Sequence, residues 1–447
     1  MLATCVGAMI LLLGRPDVTS AQSDSVAAET CVTCHQAMPD GPLSDPVKRY
    51  GDDVHSGKGF GCVACHGGDG TVLGPEAMDP ARGFLRDLSR PQIPTMCGHC
   101  HSDPTFMRQY NPGLRVDQEA EYQTSVHGRR LAEENDSLVA TCISCHPAHG
   151  IRPPSDPLSS VHPLNVSKTC GACHANADYM ADYGIPTDQA TKYEGSVHGE
   201  ALLVARDLSA PTCNDCHGNH GAAPPGVSWV GNTCGQCHSV QEQHFQTSRH
   251  GELFPLIGIP GCAACHNNHD IPAASDEMIG MGEGAVCAKC HTEESEGGTQ
   301  ALVIRRLIDS LRTQLDSARH LLESAENSGI EVSQAQYDLE GAHSALVESR
   351  AAVHTFRAAA VDSSVSVGLA ITDNAFVSGI KALGELRFRR TGLAVFALIT
   401  VVLIVALLLK IKEIEGPTMS YIMFTRELRV PDDRRPGPSD RHDEESS

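Results

Sequence analysis

The chain has 447 residues, and its acidic side chains outnumber the basic ones by 21 charges. That excess excludes a nucleic-acid partner, because phosphate binding needs a basic footprint, and it favours basic or dipolar partners. Aromatic residues are only 4%, with a single Trp, too few to build an ordinary core over a long soluble region.

Residues 1–21 read as a secretory signal. An apolar run from Val6 to Leu13 is followed by Thr19-Ser20-Ala21, a small-x-small cleavage pattern. No Lys or Arg precedes the run, so an N-terminal anchor or a misplaced start are the alternatives. The run itself is short for a bilayer span.

Residues 22–298 are dominated by cysteine. Of 19 cysteines, 18 lie in nine Cys-x-x-Cys-His sites. In chain order these are Cys31, Cys34 and His35; Cys62, Cys65 and His66; Cys97, Cys100 and His101; Cys142, Cys145 and His146; Cys170, Cys173 and His174; Cys213, Cys216 and His217; Cys234, Cys237 and His238; Cys262, Cys265 and His266; and Cys287, Cys290 and His291. Pairs of Cys-x-x-Cys could hold zinc, and an exported chain could oxidise them to disulfides. Neither requires a histidine straight after the second cysteine at all nine sites. The signature is that of c-type haem attachment: the thiols bond the vinyl groups and the adjacent histidine ligates the iron. Nine covalently attached haem c groups are expected, and their macrocycles would supply the missing flat apolar surface.

An internal repeat organises the region. Its unit is Ser-x-His-Gly, then Cys-x-x-Cys-His-x-x-His, then a second Cys-x-x-Cys-His. The intact copies carry Ser125-Val-His127-Gly128 with His149, Ser196-Val-His198-Gly199 with His220, and Ser248-Arg-His250-Gly251 with His269. A degenerate copy has Asp53-Val-His55-Ser-Gly57, and Asp69 replaces its trailing histidine. The site at Cys31 stands alone in front. Nine histidines outside the attachment sites, leaving out His99, match nine irons: His55, His127, His149, His162, His198, His220, His244, His250 and His269. They are expected as distal ligands, with His162 and His244 serving the lone site and the copy that lost its trailing histidine. The missing histidine at Asp69 points to the Cys97 haem as a candidate for an open coordination position; Met96 and Met107 nearby read as packing. Gly, Pro, Asp and Ser clusters between the sites predict short helices and loops.

Beyond residue 298 the pattern changes. Leu307, Leu311, Leu315, Ala318, Leu322 and Ala325 recur at helical spacing, and after Asn327-Ser-Gly329 the spacing resumes from Val332 to Ala360. This predicts an antiparallel, coiled-coil-like hairpin over 299–388. His320, His343 and His354 within it read as solvated, with the alternative that one of them caps the last haem. Leu393 to Leu409 is apolar apart from Thr400 and has basic flanks, so a transmembrane helix is expected over 391–410. The charged tail, 411–447, would be cytoplasmic and disordered at its far end. The predicted fold class is thus mostly α and irregular: short helices and loops around haems, a helical hairpin, and one C-terminal transmembrane helix.

The Tyr122-x-x-Ser-Val-His127-Gly and Tyr193-x-x-Ser-Val-His198-Gly segments, each with its Cys-x-x-Cys-His-x-x-His, resemble the multihaem c-type cytochromes, the group that includes the cytochrome c3-like and nitrifier tetrahaem proteins. The resemblance implies closely stacked, mostly bis-histidine haems forming a conductive chain. Membrane-anchored relatives often take electrons from quinol, but usually with an N-terminal anchor and four or five haems, whereas this chain has nine sites and a C-terminal apolar segment. The catalytic Cys-x-x-Cys-Lys site of many multihaem nitrite reductases does not occur here. The expectation is an electron-transfer protein rather than an enzyme. It would be held to the cytoplasmic membrane with its haem region in the periplasm or outside the cell. It would relay electrons from a membrane redox complex or quinol oxidiser to a periplasmic or extracellular acceptor. The alternatives are a reductase of a small nitrogen or sulfur oxyanion with one five-coordinate haem, and a structural subunit of a respiratory complex or cytochrome filament assembled through the hairpin.

Overall fold

The computed structural model describes residues 29–86, 88–224 and 231–427; the expected signal segment and the end of the tail lie outside them. The described residues are mostly helical and contain no strand. They divide into two compact units, one reaching to His291 and also containing His354–Phe356, the other formed by Thr292–Val353 and the chain from Arg357 onward.

The first unit consists of short helices and 3-10 turns. Attachment sites start, end or lie within them: α1 (Thr30–Gln36), α2 (Gln92–His101) and α3 (Pro163–His174) each carry a full Cys-x-x-Cys-His. Large apolar side chains are few, and Tyr122, Leu131 and Val139 form one of the small buried clusters.

The Ser-x-His-Gly motif has a clear local cause. Ser125, Ser196 and Ser248 each cap a helix: the hydroxyl accepts from the amide of Gly128, Gly199 or Gly251 at 2.9, 3.1 and 3.2 Å and donates to the carbonyl of Tyr122, Tyr193 or Phe245 at 2.6 Å. The glycine is there because of that carbonyl. A Cβ at Gly128, Gly199 or Gly251 would sit 2.0, 2.0 and 2.3 Å from it. The histidine is therefore held one residue before a capped, tightly packed turn.

The second unit is a three-helix bundle, not the two-helix hairpin expected. α4 (Glu296–Glu326) and α5 (Ser333–Ala352) are antiparallel, and α6 (Ala358–Glu427) runs back beside both. The Ala358 amide donates to Gln300 Oε1 at 2.9 Å and Thr372 Oγ1 donates to Gln314 Oε1 at 2.9 Å, which fixes a parallel register between α4 and α6. Ile308, Leu311, Leu315 and Leu322 fill its core with Val361 and Val365. Periodicity ran on through Ala360, but the helix ends at Ala352, gives one 3-10 turn (Val353–Thr355), and breaks at Phe356, whose φ is +53°. No Gly or Pro marks that break.

α6 is the one described helix long and apolar enough to cross a membrane. Its 70 residues span about 105 Å at 1.5 Å per residue. Leu393, Phe396, Leu398, Leu403 and Leu408 are all exposed. The helix continues beyond the expected span, to Glu427.

Candidate haem-binding sites

Eight of the attachment histidines face a second imidazole. His101 faces His55 with ring centroids 6.0 Å apart, His174 faces His127 at 6.1 Å, His238 faces His198 at 6.3 Å, and His291 faces His250 at 5.9 Å. His66 faces His149 at 5.8 Å, His146 faces His220 at 6.3 Å, His217 faces His269 at 5.9 Å, and His266 faces His354 at 6.1 Å. Two imidazoles on opposite sides of one metal, each nitrogen at about 2.0–2.1 Å, have their centroids about 6 Å apart. The eight separations are those of imidazoles sharing an iron, so the residues fit the group.

The pairing follows a rule. Each Ser-x-His-Gly histidine, and His55 in the degenerate copy, faces the second attachment histidine of its own copy. Each trailing histidine reaches back to the first attachment histidine of the copy before. A backbone strut holds this reach: the amides of Val54, Val126 and Val197 donate to the carbonyls of Ile151, Ala222 and Ile271, two residues past the trailing histidines, at 2.9, 3.1 and 2.9 Å. The rule leaves His266 for a histidine beyond the last copy, and His354 supplies it. Phe356, two residues on, lies against His250 with centroids 4.1 Å apart and also meets Phe245.

The two classes differ in ring geometry. Pairs made by reaching back are close to parallel, at 12°, 16°, 11° and 20°. Pairs within a copy are tilted, at 82°, 55°, 31° and 88°. Burial, and then the facing imidazole, pushes His127, His149, His198, His250 and His266 below the ordinary histidine value. They are thus held neutral, the form that ligates metal. His55 Nδ1 meets Asp53 Oδ1 at 2.9 Å, His217 Nδ1 the Ala223 carbonyl at 3.0 Å, and His35 Nδ1 the Leu43 carbonyl at 2.9 Å. Such bonds orient the ring and leave Nε2 for the iron.

The cysteines place the sites in succession. Cys62 lies beside Cys31, Cys97 beside Cys142, Cys170 beside Cys213 and Cys262 beside Cys234. In the alternate joints burial, then nearby thiols, raises Cys65 beside Cys100, Cys145 beside Cys142 and Cys173, and Cys265 beside Cys287, and pushes Cys216 beside Cys234 up to about 11. Each site therefore borders the next one in the chain, from Cys31 to Cys287.

Several sequence expectations are placed differently. His162 is buried and caps α3, its Nδ1 accepting from the Leu164 amide at 3.3 Å. His244 lies half-buried in the helix Ser239–Gln246. Neither is in a described imidazole pair, and the copy they were to complete takes His55 and His149 instead. Asp69 does not leave the Cys97 site open, since His55 faces His101. Asp69 instead pairs with Arg82 and accepts from the Thr71 amide at 3.0 Å. Met107 is buried packing, as expected. His354, read as solvated, is the histidine facing His266 that periodicity hid. One signal was available. Ser295 accepts from the Gly298 amide at 3.1 Å and donates to the Thr292 carbonyl at 2.6 Å, and a Cβ on Gly298 would sit 2.0 Å from that carbonyl. Ser295-Glu-Gly-Gly298 is thus a further copy of the capped turn, with Gly297 in the histidine's place, and one more trailing histidine was due after it.

A doubled CXXCH motif model matches residues 258–296, covering the sites at Cys262 and Cys287. The motif indicates a multihaem c-type cytochrome. Covalently bound haem c and electron transfer follow from it. No curated protein and no solved structure matches the chain.

Proposed function

We propose that the chain is a nine-haem electron relay anchored to the cytoplasmic membrane by the apolar part of α6. The observation that carries this reading is the set of eight imidazole pairs at the separation of ligands on a shared iron. The eighteen cysteines from Cys31 to Cys290 hold the macrocycles, and the adjacent histidines ligate from the proximal side. His149, His55, His220, His127, His269, His198, His354 and His250 ligate the second to ninth haems, in that order, from the distal side. Haem supplies one-electron redox chemistry when bound. The protein sets the spacing, excludes water and tunes potentials by ligation, burial and charge. Iron with two imidazoles has no position for substrate, which favours relay over catalysis at those eight sites. The bordering cysteines support a linear order from first site to ninth.

The haem unit would face the periplasm or the cell exterior, where covalent attachment occurs, with the end of α6 in the cytoplasm. A membrane redox complex or quinol oxidiser would donate, and a periplasmic or extracellular protein with a basic or dipolar face would accept. Pulsed reduction of the detergent-extracted chain tests the relay. An injected electron should spread over the haems in well under a second. An electron that stays on one haem until an external oxidant removes it refutes the proposal. Haemochrome analysis should count nine haems per chain.

A further inference from the structure

We infer that the haem on Cys31, Cys34 and His35 is the one whose distal face the chain leaves open, and that its iron binds a small neutral ligand from solution. This rests on the relay reading, and it moves the open position from the Cys97 site to the other end of the haem series.

The pairing rule carries the argument. A first-type site takes its distal histidine from the next copy, and a second-type site takes it from the Ser-x-His-Gly turn upstream in its own copy. The type of the lone site is fixed by its neighbour. Elsewhere the leading cysteine of a second-type site meets the leading cysteine of the first-type site that follows: Cys97 with Cys142, Cys170 with Cys213, and Cys234 with Cys262. Cys31 meets Cys62 in the same way. The lone site therefore stands in the second-type position. The other eight attachment histidines each face a second imidazole, and among the described residues no imidazole faces His35. Asp69, at the trailing-histidine position of the degenerate copy, closes its loop with Arg82 and Thr71.

Met38 does not fill the gap by the rule. It stands three residues after His35, the offset of His149 after His146, and His149 serves His66 rather than its own site. His35 is nonetheless built as a ligand, its Nδ1 held by Leu43. The ligand class follows from charge. Glu29 lies at the joint of the first two sites, its carboxylate accepting from the Cys62 amide at 2.6 Å, in a chain with 21 excess negative charges. An anion is disfavoured there, and a neutral diatomic or free imidazole is favoured.

Carbon monoxide titration of the dithionite-reduced, fully haem-loaded chain tests this. One CO should bind per nine haems. A Cys31→Ala/Cys34→Ala variant, shown by haemochrome analysis to hold eight haems, should bind none. No CO bound by the wild-type chain, or one CO retained by that variant, overturns the proposal. More than one CO in the wild type overturns both the single open site and the paired-histidine reading, so the two failures are separable. If the variant does not fold, the wild type still decides. Its oxidised electron paramagnetic resonance spectrum should contain one high-spin iron in nine that imidazole converts to low spin. An all-low-spin spectrum, or one with a histidine–methionine iron, overturns the proposal.

Discussion

Replacing Gly199 with Ala should cost stability and one haem's coordination together, although Gly-to-Ala changes in helices ordinarily stabilise. Gly199 has an ordinary helical φ of −65°, so helix propensity alone favours Ala by about 0.8–1 kcal/mol. The structure opposes it. The new methyl would lie 2.0 Å from the Tyr193 carbonyl oxygen and 2.9 Å from Glu194 Cα, both backbone atoms. Relief needs a displacement of about 1 Å at the first turn of a helix fixed by the Ser196 cap, and overpacking of this kind costs about 1–3 kcal/mol. The net expectation is a loss of about 0–2 kcal/mol. His198, one residue earlier, would move with the turn, and a shift of that size is large against an iron–nitrogen bond. Chemical denaturation of the holoprotein should show a lower midpoint. The oxidised spectrum should show one low-spin iron of the tilted class turned high-spin. Gly195→Ala is the control, because its nearest contact would be 3.8 Å away; it should be neutral or slightly stabilising. A Gly199→Ala chain as stable as wild type with all low-spin signals intact would refute the steric account of the motif.

Three other outcomes are expected. His354→Ala should leave the His266 haem with one imidazole, adding one CO-binding site to the reduced protein; an unchanged CO stoichiometry would remove His354 from the ligand set. Electron paramagnetic resonance should resolve more than one low-spin population, rhombic signals from the near-parallel imidazoles and more anisotropic ones from the His55 and His250 sites, whose rings cross at 82° and 88°, and a single uniform population would contradict the ring angles. At Asp136, burial works against the charge, but the Leu138 amide, Tyr183 hydroxyl and Arg130 guanidinium outweigh it and hold the carboxyl below the usual carboxylate range. A depressed folded pKa means stability present above the unfolded value, about 3.9, and lost as pH falls through the folded one. Wild type should therefore exceed Asp136→Asn in urea midpoint at pH 6, and the gap should close as pH falls below 4; a gap constant across that range would sink the assignment.

Much of the site was legible because covalent attachment fixes residue types at fixed offsets. Cys142-Ile-Ser-Cys145-His146 names its own chemistry, and the repeat showed that His127 and His149 were placed for a reason. Which attachment histidine each faces was not legible, because sequence order carries no sign of reaching backward; the strut from Val126 to Ala222 is purely backbone. The same blindness misread Asp69 as a vacancy at Cys97. The helical bundle was half legible. Apolar spacing located α4 and α5, but Phe356 breaks the helix at a positive φ without Gly or Pro, so the diversion that delivers His354 left no local mark. His162 shows the opposite error: a histidine among haem sites that serves as a helix cap.

The backward reach of the trailing histidines would also set an order of maturation. A chain that crosses the membrane amino end first presents His66 before His149, His146 before His220, and His266 long before His354. Each reach-back site would lack its second histidine until the next copy has emerged and closed over it. The tilted irons need nothing from later copies, because His127 precedes Cys170 and His198 precedes Cys234. Haem loading would then proceed like a zip drawn from the amino end, with each copy locking the one before. The last lock would close only when the chain has been delivered past Ala352. A truncated product ending before that point would carry all nine attachment sites and still be left with one of its reach-back irons unlocked.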